Sequence, residues 1–133
     1  MKKVILAVGG ILLLLLSFPA FAAEGPMGTI AIAAEGQTPA AKVSHQAGFS
    51  PFFLLFDEQG TILGATRNPF KGEMVYGSGK AVVDFLAERG VTVIVAEVFG
   101  KGIREVLASK GIRPVELKGS AGEAARAVLA QTR

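Results

Sequence analysis

The sequence contains no cysteine among its 133 residues. This absence excludes disulfide bonds, thiolate nucleophiles, cysteine-based zinc sites and iron–sulfur clusters that are ligated by protein thiolates. Without disulfides the chain depends on its hydrophobic core, and a domain of about 110 residues is long enough to form one.

Clustered basic charge and recognisable catalytic patterns are missing as well. Lysines and arginines are scattered among acids, which argues against a nucleic-acid partner. No paired carboxylates, Ser/His/Asp set or metal-ligand cluster stands out, and a two-metal nuclease needs several acids that converge from strand ends. We expect Asp57, Asp84 and Glu97 to be solvated acids in a turn, on a helix and at a strand end. These absences favour a protein that is not an enzyme.

The first 22 residues have the three parts of a secretory signal peptide. Two lysines precede an unbroken apolar run over residues 4–16, and Ala20-Phe21-Ala22 supplies the small residues that a signal peptidase requires. We expect cleavage after Ala22, or after Ala23, and a periplasmic or secreted protein. The alternative is an uncleaved anchor, which needs about 20 apolar residues to cross a bilayer, and Pro19 argues against it.

Removal of residues 1–22 leaves a short linker over residues 23–27 and one domain over residues 28–133. The two lost lysines reduce the formal net charge from +3 to +1, with 12 basic and 11 acidic residues. Most of the apparent basicity therefore belongs to the targeting segment, and we expect no membrane span after cleavage.

The remaining pattern predicts an α/β domain in which a β-hairpin precedes alternating helices and strands. Glycines at helix ends and an S-x-x-E capping box mark the helices, and apolar runs mark the strands. The predicted elements are a strand over 28–34, a loop over 35–51, a hairpin of 52–56 and 61–66, a helix ending before Gly90, a strand over 91–96, a helix ending before Gly111, a strand over 112–117 and a last helix after Ser120. This order predicts a mixed sheet with covering helices.

Three loops follow strands at the carboxyl edge of the predicted sheet, where α/β proteins bind ligands. They are residues 35–51, residues 67–80 and residues 97–104. His45 in the first loop is the sole histidine. A neutral imidazole there is a candidate metal ligand, and the alternative is a solvated loop histidine.

A glycine-rich helix start in the second loop, Gly77-Ser78-Gly79-Lys80, is a candidate anion site because its first backbone N–H groups have no partner within the helix. The segment is not a Walker A motif, which would need glycine in place of Met74 and Ser or Thr in place of Ala81. The alternative is a flexible helix entry without a ligand.

An ordered set of short motifs covers nearly the whole mature chain. The set comprises Ile30–Ala33, Val43-Ser44, Ser50–Asp57, Asn68-Pro69, Gly77–Gly79, Phe85–Val91, Val93–Ala96, Phe99-Gly100 and Gly111-Ile112. With these motifs the chain resembles the dinitrogenase iron-molybdenum cofactor biosynthesis family, which includes NifX-like and NafY-like carriers and the C-terminal domain of NifB. The resemblance implies a ribonuclease H-like fold without nuclease activity, and a carrier of a preassembled iron–sulfur or iron-molybdenum cluster.

The chain departs from the family at the residues that would bind such a cluster. Members often carry a Ser-Pro-His-Phe-Gly type stretch in the first loop, and a gapless alignment places His45 on its proline and Gln46 on its histidine. The histidine often found after Asn-Pro is Phe70 here. The predicted export is a further departure, because nitrogenase cofactor assembly is cytoplasmic.

Two functions follow from these observations. The first is a non-catalytic binding protein for a metal cofactor or small anionic metal complex, with His45 as metal ligand and with Gln46, Gly77, Ser78, Gly79 and Lys80 as further binding residues. The second is an interaction module without a ligand, which presents the hairpin edge or the region of Phe49, Phe52 and Phe70 to an envelope protein partner.

Overall fold

The computed structural model describes residues 28–70 and 78–131, without the side chain of Ser78. The elements in this part are β1 (Thr29–Ala34), a 3-10 turn (Ala47–Phe49), β2 (Phe52–Phe56), β3 (Ile62–Arg67), α1 (Ser78–Ala87), β4 (Val91–Ala96), α2 (Lys101–Ser109), β5 (Arg113–Glu116) and α3 (Ala121–Gln131). The predicted signal peptide, the linker and Gly77 lie outside the described residues. No described helix has the length and apolar character to cross a membrane.

The five strands form one mixed sheet in the order β3-β2-β1-β4-β5. β2 pairs antiparallel with both β1 and β3, whereas β4 pairs parallel with both β1 and β5. This arrangement confirms the predicted hairpin followed by a parallel half, as in the ribonuclease H-like class.

The central strand β1 is covered on both faces, and its residues from Ile30 to Ala34 are fully buried. Ile30 and Ile32 belong to a core that is completed by α3, whereas Ala31 and Ala33 belong to a second core beneath α1 and α2. The alternation of strand side chains between the two faces of a sheet produces this division. The domain therefore has one hydrophobic core on each face of the sheet.

Local sequence signals account for the helix ends. Gly90 and Gly111 have φ angles of +76° and +71°, a backbone region that glycine adopts without steric cost. At the start of α3 the Ser120 hydroxyl and the Glu123 carboxylate form the predicted capping box, in which each side chain accepts a backbone N–H of the other residue. Both predictions are confirmed.

The strand directions bring the candidate loops together. β1, β3, β4 and β5 all run the same way, because β2 is antiparallel to both of its neighbours. The loop 35–51, the chain after Arg67 and the turn 97–100 therefore leave the sheet at one edge, as predicted. We call this edge the carboxyl edge.

Candidate functional site

A buried polar network holds the first loop against the carboxyl edge. Ser44, Ser50 and Asn68 are at most 3% exposed. The Ser44 and Ser50 hydroxyls lie 2.9 Å apart, and the Ser50 hydroxyl also reaches the backbone oxygen of Phe52 at 2.7 Å. The Asn68 amide donates to the backbone oxygens of Ser50 at 2.8 Å and Gly48 at 3.3 Å. Buried groups that are satisfied in this way give the loop a defined conformation.

His45 lies on this loop beside the end of β4. Its Nδ1 is 3.1 Å from Oε1 of Glu97, and the two side chains are 70% and 13% exposed respectively. The backbone of the loop pairs with the same turn, because Glu97 N–H donates to the Ser44 oxygen and Val98 N–H donates to the His45 oxygen, both at 3.0 Å. The position of the imidazole is therefore set by backbone pairing as well as by its side-chain contact.

A cavity of about 210 Å³ lies between this loop and the starts of α1 and α2. We call it the cleft. Its walls are largely apolar, and its lining residues are Gln46, Ala47, Gly48, Phe49, Gly79, Val98, Phe99, Gly100 and Ile103. Phe49 and Val98 are exposed at 46% and 37%. Since the first N–H groups of a helix have no intrahelical partner, both helix starts favour negative charge in the cleft.

A smaller cavity of about 170 Å³ adjoins the cleft on the side of His45. It is lined by Glu35, Ser44, His45, Gln46 and Phe49. Gln46 and Phe49 line both cavities, so they form the boundary between them.

A third and wider cavity of about 600 Å³ is lined by Glu97 and by residues near the start of α3. Lys42 and Lys118 line it together with Glu97 and the segment Gly119-Ser120. The backbone N–H groups of Ala121 and Gly122 are bonded to the loop carbonyls of Ala41 and Pro39. The first N–H groups of α3 are therefore already bonded to protein carbonyls.

The predicted binding residues are only partly brought together. Gln46 and Gly79 line the cleft, and His45 lies next to it. Lys80 follows Gly79 on α1, but its ammonium binds the Asp84 carboxylate at 2.7 Å and it lines none of these three cavities. Gly77 and the side chain of Ser78 lie outside the described residues.

The expectation that Glu97 is a solvated acid is wrong. Its side chain is mostly covered and contacts His45, which is 52 positions away in the sequence. No local pattern signals such a contact, because it depends on how β1 and β4 pair. The sequence gives one indication of this role, because Glu97 directly follows a buried strand and such positions lie at the carboxyl edge.

The predicted phenylalanine surface is also smaller than expected. Phe52 is half-buried beneath the Arg67 guanidinium, 5.3 Å from the ring centre. Phe70 is half-buried and packs edge-on against Phe85, with ring centres 6.1 Å apart. Only Phe49 of the three is exposed.

An ion pair fixes the start of α2 relative to β5. The Glu116 carboxylate accepts the Phe99 N–H at 2.9 Å and binds the Arg104 guanidinium at 2.9 Å. The Phe99 hydrogen bond first, and then Arg104, lower the pKa of Glu116 below its usual value of 4.5. These contacts hold Phe99 and Gly100 in place at the wall of the cleft.

His45 is the one imidazole among the described residues, and no metal-ligating cluster surrounds it there. Within residues 28–70 and 78–131, no three His, Cys, Asp or Glu side chains are grouped so that they could hold a metal ion. A protein-bound zinc ion, for comparison, takes three or four protein ligands. The site therefore consists of one imidazole beside an apolar cleft that two helix starts border.

Comparisons with known proteins agree with this fold. The family model described as dinitrogenase iron-molybdenum cofactor matches residues 28–131. The apo form of the orange protein from Desulfovibrio gigas superposes with a TM-score of 0.71 at 23% identity, covering 77% of this chain and 88% of that one. A NifB-type protein of the DUF35 family from Thermotoga superposes with a TM-score of 0.64 at 23% identity, covering 80% and 90%. At 23% identity, these two likenesses show that the chain shares its fold with both proteins. A comparison with curated proteins gives no match.

Proposed function

The chain belongs to the dinitrogenase iron-molybdenum cofactor family, and from that premise we propose that it is a non-catalytic carrier of an iron–sulfur-based or molybdenum-containing metal species in the cell envelope. The observation that carries this proposal is the cleft between the starts of α1 and α2, with His45 beside it. The apolar walls and the positive ends of two helix dipoles support a compact anionic ligand, and the imidazole supplies one metal ligand.

The volume of the cleft bears on the size of the proposed ligand, the metal species, which we call the cargo. A volume of about 210 Å³ equals that of about seven water molecules at roughly 30 Å³ each. That volume suits a compact metal–sulfur complex, and it is below the range of roughly 300–1,000 Å³ that is typical of pockets for drug-sized ligands. The proposed cargo is a preassembled species of compact size, with one exchangeable coordination position that a nitrogen of His45 fills.

Metal and sulfide content test the carrier function directly. Protein isolated anaerobically from its own envelope is expected to contain iron or molybdenum with acid-labile sulfide in a fixed ratio to the chain. The His45→Ala variant is expected to lose most of it, whereas Gln37→Ala, an exposed change on the same loop, is expected to keep it. Native protein without any metal would refute the proposal, and full retention in His45→Ala would remove His45 from it.

Location in the envelope is a separate part of the proposal and rests on the amino-terminal pattern alone. Intact-mass measurement on protein from the native host is expected to show a chain that begins at Ala23 or Glu24. A mass that includes residues 1–22 would contradict cleavage and would leave the carrier function untouched.

A second candidate function is an interaction module, and the exposed edge strand β3 favours it. Five of the six residues of β3 are exposed, including Ile62 at 39% and Leu63 at 58%. An unpaired strand edge with apolar side chains is a surface on which another protein can pair. Crosslinking in the native envelope distinguishes the two candidates, because a module without cargo should be recovered with a partner and without metal.

A further inference from the structure

We propose that Glu97 is a positioning residue that fixes the tautomer of His45, so that Nε2 is the atom that meets the cargo. This inference rests on the proposed carrier function and adds to it the identity of the ligating nitrogen and the group that prepares it. It stands on the contact between His45 Nδ1 and Glu97 Oε1 at 3.1 Å and on the way both residues are held.

The chemistry of the contact determines where the proton lies. An ionised carboxylate can only accept a hydrogen bond, so the bond to Glu97 requires a proton on Nδ1 of His45. The neutral ring then carries its free electron pair on Nε2. Because the His45 side chain is 70% exposed, a cargo molecule approaches a ring whose available nitrogen is already selected.

The surroundings hold the carboxylate and the ring in this arrangement. Glu97 N–H donates to the Ser44 oxygen, Val98 N–H donates to the His45 oxygen, and Ser44 N–H donates to Ala33 in β1 at 2.8 Å. The two side chains therefore project from backbone segments that are tied to each other and to the central strand. The Glu97 side chain is only 13% exposed, which limits the competition of water for its oxygen.

The arrangement matches the general form of a metal-binding histidine. Such a residue commonly donates its second ring N–H to a carboxylate, which orients the ring and makes the ligating nitrogen more basic. Loss of the carboxylate typically lowers metal affinity 10- to 100-fold. The same loss is expected here, although Glu97 itself does not touch the cargo.

The tautomer is measured without any cargo. In protein labelled with ¹⁵N-histidine, long-range ¹H–¹⁵N correlation at a pH where the ring is neutral is expected to show the proton on Nδ1. The Glu97→Ala variant is expected to move it mainly to Nε2, and Glu97→Gln, which keeps an acceptor oxygen, should retain Nδ1–H in part. A wild-type ring protonated on Nε2, or an unchanged tautomer in Glu97→Ala, would overturn the proposal.

The effect on binding is measured with the nickel(II)–nitrilotriacetate complex as a compact anionic probe, in which the imidazole of His45 takes the place of a bound water molecule that leaves. Glu97→Ala is expected to bind it roughly 10- to 100-fold more weakly than the wild type, Glu97→Gln less so, and the exposed control Glu105→Ala no more weakly. In a His45→Ala background, Glu97→Ala should have no further effect, because its contribution passes through the ring. An equal loss in that background would overturn the positioning role.

Failure of the carrier function and failure of this inference give different results. A wild-type protein that carries no metal in vivo and ignores the probe refutes the carrier function, while the ¹⁵N measurement still decides the role of Glu97. Thermal unfolding of each variant shows that its fold is intact, and the isosteric Glu97→Gln provides the comparison if Glu97→Ala does not fold.

Discussion

At the scale of single residues, Asn68 connects the first loop to the end of the hairpin. Its amide donates to the Ser50 and Gly48 oxygens, its oxygen accepts the Phe70 N–H at 2.9 Å, and the side chain is 3% exposed. Three backbone groups therefore depend on one side chain that water barely reaches. The conformation of the loop that carries His45 therefore depends on a side chain from another segment of the chain.

Removal of this amide should destabilise the fold and loosen the loop. For Asn68→Ala we expect a loss of about 1–3 kcal/mol in the free energy of unfolding, because backbone groups in a buried site lose their partners. Urea unfolding measures this loss. The exposed Gln59→Ala in the hairpin turn should change it by no more than about 0.5 kcal/mol. An unaffected Asn68→Ala would mean that water replaces the lost bonds.

Residues with local signals were predicted correctly, and residues whose role depends on distant partners were not. Gly90 and Gly111 end helices through their own backbone freedom, so sequence neighbours suffice to recognise them. Glu97 meets His45 only because β1 and β4 lie side by side, and no pattern within either segment indicates that pairing. Ser44, Ser50 and Asn68 stand in motifs that carry the family resemblance, but no local pattern indicates that they form one buried network.

At the scale of secondary-structure elements, α3 begins at a capping box whose partners are all within four residues. The Ser120 hydroxyl lies 2.8 Å from the Glu123 carboxylate, and it accepts the Glu123 N–H at 3.2 Å. Ser120→Ala should lower the free energy of unfolding by about 0.5–2 kcal/mol, as is usual for the loss of an N-cap side chain. Ser109→Ala, an exposed serine at the end of α2, is the matched control and should cost less than about 0.5 kcal/mol. Equal effects would show that the cap contributes nothing specific.

The junction between β5 and α2 should make stability depend on acidic pH. The pKa of Glu116 is lower in the folded state than its usual value of 4.5, so its contribution is fully present above that value and is lost as the pH falls below it. Urea unfolding should therefore show a difference between the wild type and Glu116→Gln that is largest near neutral pH and shrinks on acidification. The exposed Glu105→Gln should show no such trend. A difference that grows on acidification would contradict the assigned direction.

At the scale of the whole domain, the two cores share the strands between them. Leu54 belongs to the core beneath α3, Leu107 belongs to the core beneath α1 and α2, and both are fully buried. β1 contributes Ile30 and Ile32 to one core and Ala31 and Ala33 to the other. A loss of packing on either face therefore acts on the same central strand.

Leu54→Ala and Leu107→Ala should consequently lower one common unfolding transition. Each is expected to cost about 2–5 kcal/mol, the usual range for truncation of a buried leucine. Amide hydrogen exchange should report the decrease on both faces in each variant, because both cores share β1 and small single domains usually unfold in one cooperative transition. If Leu107→Ala instead released only α1 and α2 while β1 and α3 kept their protection, the two faces would be separate units.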